Sequence, residues 1–334
     1  MKKVAVVILN WNGKDFLEKF LPSLIQNNNN FTDIIVADND STDDSVSFLK
    51  NNYLSIQLII NDKNYGFAQG YNEALKKVDA EYVVLLNSDV EVTKNWIEPI
   101  IELMDADKSI AACQPKIRDY NNKSYFEYAG AAGGFIDYLG YPFCRGRIFN
   151  HLEKDKGQYD DVTEVFWATG ACMFIRMEYY KQIGGLDNHF FAHMEEIDLC
   201  WRFKNLGYKI MFTPQSTVYH VGGGTLNKIK PQKTYLNFRN NLFLLHKNLP
   251  KEKRTWIIFL RLVLDGIAGV KLLFEGKPSH TLAIIRAHFD FYKDIKQNKS
   301  KRQAVSNPNS TGILQESILI KSFIERKHTY TELI

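Results

Sequence analysis

The segment Leu85-Leu86-Asn87-Ser88-Asp89-Val90-Glu91 places oxygen-bearing side chains directly behind an apolar run, residues 82–86. Such a run reads as a buried strand. Carboxylate and amide oxygens at its carboxyl end suit a hard divalent cation that also carries a phosphate. Asp89 is the candidate metal ligand. Asn87 assists through its amide oxygen or through water, Ser88 lies between them, and Glu91 is a weaker candidate. A polar turn closing a strand would look the same in isolation, so the neighbouring segments matter.

Four further segments carry possible chemistry. In residues 36–45, Asp38 and Asn39 end a strand, where a carboxylate can accept hydrogen bonds from a nucleobase imide or a ribose. The Ser, Thr and Asp residues that follow cap the next helix. In residues 64–72, Asn64 and Asn72 flank Gly66 and Gly70, whose missing side chains let backbone approach a ligand at a helix start, where phosphate is favoured. In residues 190–202, Glu195, Glu196 and Asp198 crowd the start of a helix, whose dipole favours ionised carboxylates. One of them could deprotonate an incoming hydroxyl, while Asp198 also has the spacing to pair with Arg202 one turn on. In residues 218–225, His220 ends a strand before Gly222, Gly223 and Gly224, a pattern that could complete a metal site from a mobile loop.

These side chains need a scaffold that collects strand ends. Strand and helix signals alternate: strands at 4–9, 34–37, 56–60 and 82–86, and helices at 14–26, 44–51, 68–77 and 96–104. That alternation predicts an α/β fold with a mostly parallel sheet flanked by helices. Ligands of such sheets gather at the carboxyl ends of the strands, where Asn10, Asp38, Asn61 and 87–89 lie. Residues 118–161 are rich in Gly, Tyr and Asn and have no clean period. Strands at 162–166, 171–176, 209–212 and 217–221 and a helix at 193–206 follow. Residues 235–248 and 254–274 predict aromatic-rich helices. Arg261, Asp265 and Lys271 interrupt the latter, so it reads as an amphipathic helix lying on a membrane surface rather than a span, or as a helix packed on the core. Residues after 296 read as a tail.

Composition narrows the class. The chain has 334 residues, 45% hydrophobic and 24% charged, which is globular. A net charge of +4 offers no argument for nucleic acid. The four cysteines are far apart and form no Cys-x-x-Cys pair, which fits buried thiols in a reducing compartment. The apolar N-terminal run is cut short by Asn10, Trp11 and Asn12 and reads as a core strand, not a signal peptide.

Taken in order, the segments resemble family 2 of the nucleotide-sugar glycosyltransferases, with the GT-A fold, and within it bacterial rhamnosyltransferase-like members. The resemblance covers residues 1 to about 245. Residues 36–45 are similar to the family's Val-Asp-Asn-x-Ser-x-Asp nucleotide loop, and 64–72 to its Asn-x-Gly-Phe-Ala-x-Gly-x-Asn segment. Residues 86–89 are similar to the Leu-Asn-Pro-Asp form of the Asp-x-Asp motif, with Ser88 in place of Pro. Residues 167–173 and 184–187 are similar to the acceptor-side segment, 195–199 to the Glu-Asp-x-Asp-Leu base motif, and 220–224 to the metal-binding His and glycine loop. Two departures stand out: Asn87 replaces the first Asp, and Glu196 replaces Asp at the base, leaving Glu195 as a substitute.

The resemblance implies a GT-A catalytic domain over 1–230, with a nucleotide half at about 1–115 and an acceptor half at about 116–230, then amphipathic helices over 231–300 and a tail over 301–334. It implies inverting transfer from a dTDP-rhamnose or UDP-hexose donor to a hydroxyl of a glycan or lipid-linked acceptor in bacterial surface polysaccharide synthesis. Asp89 and His220 would hold Mg2+ or Mn2+, and Glu196, or Glu195, would be the base. Asn10, Asp38, Asn39, Asn64, Gly66, Gly70, Asn72, Asn87 and Ser88 would line the donor site. Thr169, Gly170 and Asp198 would face the acceptor, and Gly222, Gly223 and Gly224 would close over the diphosphate. The expected location is the cytoplasm or the inner face of the plasma membrane. A sugar-phosphate nucleotidyltransferase is disfavoured because residues 10–14 hold one glycine and no Arg. A two-carboxylate hydrolase is disfavoured because Glu195 and Glu196 are adjacent on a helix. A non-catalytic protein of the same fold is the remaining alternative.

Overall fold

The alternation folds as a parallel core. The computed structural model describes residues 2–222, 230–303, 305 and 308–334. In it β1 (Lys2–Asn10), β2 (Thr32–Asp38), β3 (Gln57–Ile60) and β4 (Ala80–Asn87) lie parallel in the order β3-β2-β1-β4. Helices α1 (Lys14–Gln26), α2 (Ser45–Asn52) and α3 (Gly66–Leu75) connect them. Val4, Val6 and Ile8 pack in one layer with Leu17, Leu21 and Leu24 of α1. Ala5 and Val7 pack in the other with Ala68, Tyr71 and Ala74 of α3. Burial on both faces explains why these strands read as unbroken apolar runs.

Beyond β4 the sheet becomes mixed. β5 (Val90–Val92), α4 (Glu98–Ala106) and β6 (Ile110–Asp119) are followed by a small second sheet made of β7 (Gly134–Asp137), β8 (Pro142–Cys144), β9 (Arg147–Ile148) and β10 (His151–Leu152). The chain then returns through β11 (Thr163–Val165), β12 (Cys172–Arg176), α5 (Met177–Gln182), α6 (Glu195–Asn205) and β13 (Lys209–His220). The main sheet runs β11-β13-β6-β12-β4-β1-β2-β3, with β12 antiparallel to both neighbours and β5 paired to β13. The two short strands expected at 209–212 and 217–221 are one strand. Its register against β6 shifts between Thr213 and Thr217, so the polar interruption is absorbed as an irregularity rather than a loop.

Three helices close the chain: α7 (Pro231–Asn248), α8 (Lys251–Phe274) and α9 (Pro278–Ser300). Among the described residues no helix is long and apolar enough to cross a membrane. The expected tail is instead integrated. β14 (Ile313–Leu314) pairs parallel with β7. The Ile318 N–H donates to the buried Asp137 carboxylate at 3.1 Å, and Tyr330 packs 4.9 Å from the Phe135 ring. The short second sheet has too little apolar cover of its own, and residues 308–334 supply part of it.

Candidate active site

The β13–β5 register builds the first corner of the site. His220 pairs with Val90 and Tyr219 with Glu91. This brings His220 Nε2 to 3.1 Å from Asp89 Oδ1 and 3.4 Å from Asn87 Nδ2. On the other side of the ring, Nδ1 lies 3.4 Å from Oε2 of Glu127, a buried carboxylate that also accepts the Ala129 N–H at 2.6 Å. Burial works against a charged His220, but Glu127 and Asp89 outweigh it and push the imidazole up to about 10. Burial likewise raises the Asp89 carboxyl, yet the His220 contact more than offsets that and holds it below the usual carboxylate range. The two carboxylates hold a proton on His220, and a metal ion at Nε2 would have to displace it. One carboxylate oxygen and one imidazole nitrogen suit Mg2+ or Mn2+ when phosphate and water supply the remaining positions. The described residues contain no group of three or more His, Cys, Asp or Glu side chains set to hold a metal ion, so the protein alone offers a partial shell.

Glu127 is the functional candidate that sequence reasoning missed. It lies in the irregular stretch before β7, where no period or motif marks it. Its one local consequence is at Gly222, whose φ is +72°: a side chain there would begin 2.8 Å from Glu127 Oε1. Gly223 and Gly224 lie outside the described residues.

The donor-side residues form a polar network behind the strand ends. Asn10 Nδ2 donates to Asp38 Oδ2 at 2.9 Å, and Asp38 Oδ1 accepts the Ser41 N–H at 2.9 Å. Asn39 donates to Asn64 Oδ1 at 3.0 Å and to Gly66 O at 3.1 Å, while its own oxygen accepts from Asn61 and from the Tyr65 N–H. Asp38 and Asn39 are buried and bonded within the protein, so they brace the loop at the strand ends. Among the described residues Asn10 Oδ1 is buried without a partner, 2.5 Å from where a side chain on Gly13 would begin. Gly66 (φ +72°) makes room for the Phe191 ring rather than for a ligand, because a side chain there would meet that ring at 2.6 Å. Gly70 permits close packing of α3 on β1: an added side chain would lie 3.0 Å from Leu9.

The acidic corner lies at the start of α6. Among the described residues, Oε2 of Glu195 and Oε2 of Glu196 are both buried without a hydrogen-bond partner. Burial pushes Glu196 up to about 7. Burial and the charge of Glu196 push Glu195 well above its ordinary value. Gly170 sits against this corner, since a side chain on it would come within 3.0 Å of Phe67 and 3.8 Å of Glu196 Cβ. Its neighbour Ala171 accepts the Asn87 N–H at 3.0 Å. The Asp89–His220 corner, the Gly66-Phe67 turn and Glu196 are therefore joined through the β4–β12 pairing at one strand end.

Three expectations change here. Asn72 Nδ2 donates to Leu186 O at 2.7 Å and its Oδ1 accepts from Tyr180 Oη at 2.5 Å and from the Leu186 N–H at 3.1 Å, tying α3 to α5 and the loop after it. The Thr169 hydroxyl is buried and accepts the Ala171 N–H, so it shapes the turn instead of facing an acceptor. Asp198 is fully buried, with Arg202 and Lys247 at 2.8 Å and Asn248 at 2.9 Å, which is the pairing its spacing with Arg202 allowed.

Residues 5–184 match the model of glycosyl transferase family 2. The chain belongs to that family. It is 25% identical over 232 residues to the N-acetylglucosaminyl-diphospho-decaprenol L-rhamnosyltransferase of Mycobacterium tuberculosis, covering 65% of this chain and 75% of that protein. It is 23% identical to the rhamnosyltransferase WbbL of Escherichia coli over 226 residues, covering 65% and 83% of the two chains. Its fold is similar to that of GalNAc-T7 in complex with UDP, GalNAc and Mn2+, with a TM-score of 0.60, 16% identity and 89% of this chain covered. The chain spans 58% of the length of that protein. This family 2 glycosyltransferase is thus rhamnosyltransferase-like in sequence and GT-A in fold.

Proposed function

We propose that this glycosyltransferase moves rhamnose from a dTDP donor, or a hexose from a UDP donor, with inversion, to a hydroxyl of a glycan or lipid-linked acceptor. One observation carries the reading: Glu196, a carboxyl raised to about 7 with an oxygen that has no partner among the described residues, is joined through Gly170 and Ala171 to the strand end that bears Asp89 and His220. A base of that pKa is half ionised near neutrality, where proton abstraction is most effective. Asp89 and His220 Nε2 would hold a divalent cation that neutralises charge developing on the leaving nucleoside diphosphate. Glu196 takes the proton from the acceptor hydroxyl as that oxygen attacks the anomeric carbon from the face opposite the diphosphate. The Asn10–Asp38 and Asn39–Asn64 networks fix the strand-end loops against which the donor lies, and Gly170 leaves space beside the base.

The M. tuberculosis relative is named for a lipid-linked acceptor, and α8 has the character of a membrane-lying helix. Its polar residues Arg261 and Asp265 face inward: Arg261 donates to Leu139 O at 2.9 Å, and Asp265 lies 3.2 Å from His288. Its outward face carries Trp256, Phe259, Val263, Ile267, Val270 and Phe274. We assign that face to the headgroup boundary of a lipid bilayer.

The test is turnover with dTDP-rhamnose or UDP-glucose, Mn2+ and a polyprenyl-diphosphate N-acetylglucosamine acceptor, with the anomeric configuration of the product read by NMR. Transfer with inversion, abolished by Asp89→Ala, is expected. Absence of both turnover and nucleotide binding would overturn the reading.

A further inference from the structure

The residues leading into α6 have a backbone that side-chain-bearing residues rarely adopt. Phe191, His193 and Met194 have φ of +61°, +69° and +74°. Met194 immediately precedes α6, so the helix that carries Glu195 and Glu196 begins from this strained run. The same run touches the donor-side turn: Phe191 O accepts the Phe67 N–H at 2.9 Å, and the Phe191 ring covers Gly66. A segment held in such a conformation persists only when its surroundings over-determine it.

Here the constraint comes from α7. Asn240 is fully buried, and its Nδ2 lies 2.9 Å from Phe190 O, 2.8 Å from Ala192 O and 2.8 Å from His193 O. An amide nitrogen carries two hydrogens, so three converging carbonyls share them. Asn240 Oδ1 accepts from Arg239 Nε at 3.0 Å and Nη2 at 2.8 Å, which fixes the direction the amide faces. Arg239 Nη2 also reaches His189 O at 3.1 Å. Asn is a weak helix former in a helix interior, so local preference does not account for it at this position. α7 also lies outside the residues 5–184 matched by the family model.

We propose that Arg239 and Asn240 are positioning residues, which clamp the strained 189–194 segment and thereby aim Glu196 at the acceptor hydroxyl. The catalytic consequence rests on the transferase reading; the clamp itself does not.

Hydrogen–deuterium exchange over residues 186–199 tests the clamp directly in Asn240→Leu, in Asn240→Asp and in Arg239→Leu, which leaves the buried amide in place should the Asn240 variants fold poorly. Exchange there is expected to rise at least about tenfold while β1–β4 stay protected, since local openings are separable from global unfolding. Unchanged exchange in the folded variants overturns the proposal whatever the activity. In parallel, the Kd of dTDP with Mn2+ is expected to stay within about twofold of wild type, while kcat for transfer from dTDP-rhamnose falls on the order of 100-fold, as misplacing a catalytic group by about 1 Å can do. Parallel loss of nucleotide binding and kcat would mean that Asn240 merely supports the fold, and would overturn it too. If wild-type protein neither binds dTDP nor transfers, the transferase reading fails, and the exchange data still decide the clamp.

Discussion

Glu195 and Glu196 are adjacent, the first buried and the second half-buried with its Oε2 turned inside. Both carboxyls are raised by burial, Glu196 to about 7 and Glu195 well above its ordinary value. Ionising one makes the second ionisation harder, and the Glu196 carboxyl, at about 7, is half ionised near neutrality. Transfer is therefore expected to rise about tenfold per pH unit below pH 7 and level off above it. Glu196→Gln should lower kcat by roughly 10²–10⁴-fold, and Glu195→Gln by far less; equal losses would reassign the base. The stability sign follows from the same shift. A carboxyl whose folded pKa lies above its ordinary value of 4.5 contributes stability below that pH and loses it as pH rises through about 7. Thermal melts from pH 5 to 8 should show wild type losing more stability than Glu196→Gln, and parallel curves would contradict the shift. Glu127 acts at one remove, because its carboxylate faces the nitrogen of His220 opposite Asp89. Carboxylates behind a metal-binding imidazole orient the ring, and their loss weakens metal affinity about 10–100-fold. Titration calorimetry of Mn2+ with dTDP present should show that loss in Glu127→Gln; an unchanged Kd would leave Glu127 a purely structural residue.

Elements place these side chains by register, and that is why some were legible beforehand and others were not. Asn10, Asp38, Asn87 and Asp89 follow apolar runs, so strand ends and polar punctuation coincide in one dimension. His220 was visible for the same reason. Glu127 is not, because the bond that matters is formed when a segment with no period folds against β13. Asn72 and Asp198 show the converse: their types suited ligand contact, but tertiary partners from α5, the loop after it and α7 claim their polar atoms, while the Thr169 hydroxyl is taken by the local Ala171 N–H. The α6–α7 contact gives the clearest element-scale prediction. Lys247 lies between Asp187 and Asp198 at 2.8 Å from each, and all three are buried. Removing one partner of a buried ion pair leaves uncompensated charge and costs about 3–5 kcal/mol. Lys301 still meets Asp187 and Arg202 still meets Asp198, so the low end applies. Lys247→Met should lower the melting temperature by roughly 4 °C. A fall of less than about 2 °C would show that the remaining cations suffice.

At the scale of the whole molecule, the mixed sheet was largely foreseeable, while the fate of its C-terminal third was not. Residues 308–334 give no strong periodic signal, and they supply what the second sheet needs, an aromatic ring against Phe135 and a donor for the second oxygen of Asp137, whose first already accepts from Leu139 and Tyr141. Helix α8 was foreseen as amphipathic, but the structure inverts the usual orientation. Its charged residues Arg261 and Asp265 are buried against the protein, while Trp256, Ile267 and Phe274 are 61%, 61% and 89% exposed. A helix in water gains nothing from such an arrangement, because burying apolar area contributes about 25 cal/mol per Å² and this face forgoes it. Residues 251–300 carry ten Lys and Arg against five Asp and Glu, whereas the whole chain is only +4, so the net positive charge is concentrated in the two helices α8 and α9. An apolar face bordered by cations matches an anionic lipid surface, to which each nearby Lys or Arg contributes about 1 kcal/mol. The intact protein should float with vesicles containing anionic lipid and do so less as salt rises. Phe259→Glu with Ile267→Glu should abolish flotation without lowering the melting temperature, since both side chains are exposed. If the wild type stays at the bottom of the gradient with and without anionic lipid, the face does not meet a membrane. A concentration-dependent mass near twice that of the chain would then identify a second copy as its cover.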